Sequence, residues 1–382
     1  MRQTLDSLDE PTLSPLLESG KRPHFLTIAS VMTPANVRAL RLSLGTTAAI
    51  AVSYGAAWPM YFLTSLFTAM FLAMPIPWMG WKTASKIIGR LMTGLFFGLI
   101  ISEFVLPYPL FCIPLYALLF FYIFFNDATA PPLATIFMTM GVTMVPIIGL
   151  QGIMASHFIV GYLFLNMTLG FVFTWLSHLI VPDSLAVVDP NAPARKRPPP
   201  PPIPSREERG RLALVSTIVA TSAVVIFFSF NLAQYALAMI YICMMAGTPN
   251  TNASVKVMKA NSTACLIGGV AVVVAYNLLV VVPRFEFLIL LVLCFSLFFS
   301  RKITSGKPTA AAWSSGFTTF LVLLGSSTGS EGSASSDFYL RIAQVLFAGL
   351  FCIVGLIVAE HLINRRQYRV ARRSQKREKA QP

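Results

Sequence analysis

Lys86, Arg90 and Thr93 follow one another at spacings of four and three residues, and Lys256, Lys259 and Thr263 at three and four. Either spacing puts its set on one face of a helix. Two cations and a hydroxyl on a common face suit an anion, because charge-assisted hydrogen bonds reach a carboxylate or phosphate from several directions. Free N–H groups at a nearby helix N-terminus would add to the attraction. Asn261 and Ser262 place neutral hydrogen-bonding groups beside the second set. Small residues come next, Gly94 and Gly98 in one case and Ala264 and Gly268 in the other, and small residues let helices approach closely. The expectation is a pair of related anion-binding stripes. The plainer alternative is that these cations only orient the chain in a membrane.

Other ionisable groups are few. Asp127 and Arg301 fall at equivalent places in the two halves of the chain and are expected to pair, unless both are merely solvated in loops. His178 and Glu360 lie near the ends of apolar runs and are the weaker candidates for carrying protons. Glu103 lies near the opposite end of such a run. Thr135, Thr139 and Thr143 share one helical face and could line a path or hydrogen-bond between helices. No catalytic set emerges. "SGKPT" (305–309) has part of a phosphate-loop pattern, but Pro308 interrupts it, and "EHLIN" lacks the second histidine of a zinc-protease helix. Cys112, Cys243, Cys265, Cys294 and Cys352 all lie in apolar runs without paired spacing, so neither a disulfide framework nor a metal site is expected, and no cofactor.

The elements that must position these residues are membrane helices. The chain of 382 residues is 55% apolar and only 12% charged, with mean hydropathy +0.70. A soluble surface carries roughly twice that share of charge. Apolar runs long enough to cross a bilayer recur along the chain, and about twelve are counted, ten to twelve according to how short turns such as "LPYP" are taken. The net charge of +14 does not indicate nucleic acid, because the basic residues are scattered between the apolar runs. There they serve as orientation signals and as contacts to membrane lipids. With a cytoplasmic N-terminus, only Arg284 and Arg341 of the 29 basic residues fall outside, so both termini are expected in the cytoplasm.

The halves echo one another at an offset of about 170 residues: "RLSLGTTAA" from Arg41 with "RLALVSTIVA" from Arg211, and Lys86, Thr93 and Gly98 with Lys256, Thr263 and Gly268. The expected fold class is therefore an all-α integral membrane protein of two parallel six-helix repeats, related by an axis normal to the membrane. The boundaries are a cytoplasmic N-terminal arm (1–37), a first membrane repeat (38–182), a Pro-rich basic cytoplasmic linker (183–210), a second repeat (211–363) and a basic cytoplasmic tail (364–382). Helix starts are signalled by Thr33 before Pro34 and by Ser205 with Glu208. Between the repeats, Pro198 to Pro202 form a polyproline II spacer of about 15 Å.

At "KTASKIIGRLMTGLFFGLI" and its echo "NASVKVMKANSTACLIGGV", with six helices plus six, the chain resembles the fusaric-acid-resistance and aromatic-acid-exporter superfamily. It is most similar to short bacterial variants known only as a domain of unknown function. Arg90, Thr93, Gly94 and Gly98 approximate the order of Arg, Gly-Thr and Gly that such proteins carry at the third crossing. Larger members have a cytoplasmic domain after each bundle, where this chain has only the linker and the tail. The resemblance implies a multi-pass protein of the bacterial inner membrane that exports organic, chiefly aromatic carboxylic, acids and works with a periplasmic adaptor. Homo-oligomerisation is compatible with it. Two other functions stay open: a proton-coupled antiporter of cationic drugs, which would want buried carboxylates, and a membrane scaffold that transports nothing.

Overall fold

The computed structural model describes residues 33–74, 78, 80–127, 132–185, 205–232, 251–307 and 309–328, with single positions between 238 and 242 and between 347 and 361. Among them every extended element is a helix, and no strand occurs. In chain order these are α1 (Pro34–Gly55), α2 (Phe62–Ala73), α3 (Trp81–Ile100), α4 (Pro109–Asp127), α5 (Pro132–Gly149) and α6 (Ile153–Ile180). After the linker come α7 (Arg206–Ser229), α8 (Thr251–Val281), α9 (Phe285–Ile303) and α10 (Ala310–Thr328). A π-helical turn, Ile101–Val105, extends α3.

Local sequence accounts for several of the breaks. The Thr33 hydroxyl accepts from Asn36 N at 3.4 Å with Pro34 in the first turn, and the Ser205 hydroxyl accepts from Glu208 N at 3.2 Å. Both caps fall where the sequence signals them. Gly152, at φ +142°, separates α5 from α6 in a conformation that a side chain would oppose. The turn from α1 to α2 is tighter than its composition suggests, since Ala57 and Met60 both take positive φ.

Four helical stretches are long and apolar enough to cross a membrane: Trp81–Val105, Pro109–Asn126, Ile153–Leu185 and Arg206–Ser229. Phe62–Ala73, Phe137–Gly149, Leu266–Val281 and Ala310–Gly325 are shorter apolar helices. Phe96, Phe104, Leu110, Phe111 and Leu118 lie on the outer surface of the bundle, where water would oppose them and lipid would not. The chain is thus built as a membrane bundle.

Two helix pairs are in backbone contact. Gly98 in α3 faces α5 so closely that a Cβ there would lie 2.5 Å from the Gly141 carbonyl oxygen. Gly268 in α8 faces α10 in the same way, 2.5 Å from the Gly316 carbonyl oxygen. No side chain larger than glycine fits at either crossing unless the helices separate. Two further pairs also match: α1 lies along α9, and α4 lies along α7. One hydrophobic core gathers Leu63, Phe67 and Phe71 of α2 with Tyr116 and Phe120 of α4 and Ala220 of α7. The other joins Leu42 and Ile50 of α1 to Leu291 and Phe299 of α9 and Phe320 of α10.

Hydropathy puts the third and ninth crossings at about 86–105 and 260–282, and the helices that contain them begin earlier. α3 starts at Trp81 and α8 at Thr251, so the polar segments "WKTAS" and "TNASVKVMK" are helical as well. Hydropathy marks the part of a helix that lies in hydrocarbon, whereas backbone hydrogen bonding continues past it into the polar interface. The polyproline linker and the insertion around "GSSTGSEGSASSD" lie outside the described residues.

Candidate functional site

The first stripe is on α3. Lys86 and Thr93 are exposed on the outward face, and Arg90 is half-buried between that face and the surface packed on α5. The Arg90 guanidinium reaches Met138 of α5, with Nη1 3.5 Å from the sulfur. The Thr93 hydroxyl donates to the Gly89 carbonyl of its own helix at 2.8 Å. Because α3 begins at Trp81, Lys86 and Arg90 stand in its second and third turns. The free N–H groups of the helix start are therefore at least one turn away, each residue rising about 1.5 Å. The polar start of α3 thus precedes the stripe along the same helix.

The second stripe lies on α8. Lys256, Lys259 and Asn261 belong to its early turns, but their side chains lie outside the described residues. Thr263 is exposed, as Thr93 is. One turn beyond each threonine comes the glycine crossing, so stripe and close-packed helix pair recur together in both halves.

Asp127 ends α4, which packs on α7 and α5, and its side chain is outside the described residues. Arg301 stands exposed in the last turn of α9, which packs on α1 and α10. The two residues thus sit on elements with different main neighbours. Glu360 also lies outside the described residues. His178, in the last turn of α6, bonds through Nδ1 to the Thr174 carbonyl at 2.9 Å and packs edge-on against Trp78. Thr139 and Thr143 are buried, and Thr143 donates to the Thr139 carbonyl at 2.8 Å. Its hydroxyl thus serves its own helix. Thr135 is outside the described side chains.

Three polar contacts were not foreseen as sites. Arg41, only 5% exposed in the second turn of α1, donates from Nε to the Val181 carbonyl at 2.9 Å and from Nη2 to Asp183 Oδ1 at 2.5 Å. This cation joins the start of α1 to the end of α6. At the opposite end, Glu103 and His157 meet at 3.0 Å beside Ser102 and Ser156, whose hydroxyls are 2.7 Å apart. Between α2 and α6, Thr64 donates to Asn166 Oδ1 at 2.6 Å in the buried interior. In sequence, Arg41 carried only the internal echo, and nothing near it announced a partner some 140 residues away.

Among the described residues no group of three or more His, Cys, Asp or Glu side chains could hold a metal ion. Residues 38–177 match a family described as a protein of unknown function (DUF2955). The match begins in the second turn of α1 and ends in the last turn of α6. No curated protein and no solved structure matches the chain.

Proposed function

We propose that the chain is an exporter of organic anions, chiefly aromatic carboxylates, in a bacterial inner membrane. The observation that carries the proposal is the recurrence of one arrangement. α3 and α5 cross at Gly98 and Gly141 just beyond one basic stripe, and α8 and α10 cross at Gly268 and Gly316 just beyond the other. Two equivalent bundles, each with a cationic approach, suit a transporter whose path runs between repeats. About twelve crossings in two parallel six-helix repeats, with both termini cytoplasmic, follow as the architecture of the proposal. The matched stretch, which spans α1 to α6, supports treating that part as one unit. Kinship with the wider exporter superfamily, and a periplasmic adaptor as partner, belong to the same proposal.

Lys86 and Arg90, with Lys256 and Lys259 in the other half, would concentrate anions at the inner entrance. Efflux of a labelled aromatic carboxylate from cells with and without the chain tests the proposal. Faster efflux with the chain supports it, and equal efflux in cells that carry the protein in the membrane rejects it.

One observation favours a second mechanism, coupling to protons. Glu103 and His157 meet 3.0 Å apart where α3 ends and α6 begins. A Glu103→Gln variant separates the two. Export driven by the membrane potential keeps its rate, whereas proton-coupled export loses its dependence on pH.

A further inference from the structure

We propose that the cleft between the end of α9 and the start of α10 binds the phosphate of an acidic membrane phospholipid. The cleft has a volume of about 560 Å³ and is lined by three cations, Arg301, Lys302 and Lys307, with no carboxylate among its walls. Ser305 and Thr309 add hydroxyls to the same rim. Its apolar side is Leu297, Phe298 and Trp313. The site is independent of what the chain transports.

Capping of α9 does not account for these cations. The Ser300 carbonyl already accepts from the Thr304 amide and hydroxyl, both at 2.9 Å, and the Lys302 carbonyl accepts from the Ser305 hydroxyl at 2.7 Å. The Lys302 ammonium instead stands over two rings, 5.9 Å from the centre of Phe298 and 5.7 Å from that of Trp313. A cation held on ring faces keeps its outer side free for an anion. Among the described residues no carboxylate pairs with Arg301, Lys302 or Lys307.

The layering identifies the ligand as amphiphilic. Phe298 is 50% exposed on the α9 surface, one turn before Lys302 toward the middle of that helix, and Trp313 lies in the first turn of α10. Aromatic side chains at that depth meet the upper acyl chain, while the cations above meet the headgroup. Basic pockets between helices at the cytoplasmic face bind acidic headgroups in this way. A soluble anion would use the cations and leave the exposed ring face of Phe298 uncovered.

Native mass spectrometry of the full chain in detergent, stripped of lipid and titrated with phosphatidylglycerol or phosphatidylcholine, tests the site. The intact chain should retain phosphatidylglycerol in preference. Each cation removed should weaken that binding about five-fold, so the combined Arg301→Gln, Lys302→Gln and Lys307→Gln variant should lose about a hundred-fold, with phosphatidylcholine unchanged. Lys307→Gln alone, in the loop outside both helices, gives the single five-fold step if the combined variant does not fold. Unchanged phosphatidylglycerol binding in Lys307→Gln, or an equal loss for both lipids, would overturn the proposal. Displacement of phosphatidylglycerol by millimolar inorganic phosphate or benzoate would overturn it too, assigning the cleft to a free anion.

Discussion

Arg90 is the stripe residue whose surroundings are clearest, half-buried with its guanidinium against Met138 of the neighbouring helix. If it draws anions to the inner entrance, Arg90→Gln together with Lys259→Gln slows carboxylate efflux while the protein still inserts. Efflux at the normal rate from a normally expressed double variant would reduce both residues to orientation signals. Arg41 should behave differently, as a structural residue. Arg41→Leu removes charged hydrogen bonds to Val181 and Asp183, a loss of about 1.5–3 kcal/mol per bond to a charged donor at most. Asp183→Asn should cost less than about 1 kcal/mol, since the Asp183 side chain is 65% exposed. Thermal unfolding in detergent reads the difference, and an Asp183→Asn loss equal to that of Arg41→Leu would contradict it. An Asp127–Arg301 pair requires that Arg301→Asp partly restore what Asp127→Arg damages, and additive damage removes the pair.

At the level of helices, the two glycine crossings are expected to respond alike. Gly98→Ala puts a methyl group against the Gly141 carbonyl, and Gly268→Ala puts one against that of Gly316. Overpacking at a backbone contact costs roughly 1–3 kcal/mol, so each variant should lower the unfolding temperature, and by similar amounts. A loss at one crossing and none at the other would argue against equivalent bundles. These crossings were legible in the sequence because small residues follow both basic stripes at the same distance. Caps were legible too: Thr33 and Ser205 bond as their spacing indicates. Helix starts were not. α3 and α8 extend through the polar residues that precede their apolar runs. The α9–α10 cleft was missed for a related reason. Arg301, Lys302 and Lys307 look like orientation signals in sequence, and only the fold brings Phe298 and Trp313 to Lys302.

For the molecule as a whole, the proposed function fixes an orientation and a direction of transport. Reporter fusions after Ala194 and after Lys379 should report cytoplasm, and a fusion after Ser335 periplasm; a periplasmic linker would exclude two parallel six-helix repeats. A carboxylate leaving an interior-negative cell moves with the field, gaining about 2.3 kcal/mol per charge per 100 mV. An exporter of such anions therefore needs no buried proton relay. The direct measurement uses right-side-out vesicles containing the protein, loaded with a labelled aromatic carboxylate at alkaline pH, where little of the membrane-permeant neutral acid remains. Imposing an interior-negative potential without a pH gradient should speed efflux in these vesicles and leave protein-free vesicles unchanged. Efflux that ignores the potential and follows an imposed pH gradient would contradict potential-driven anion export.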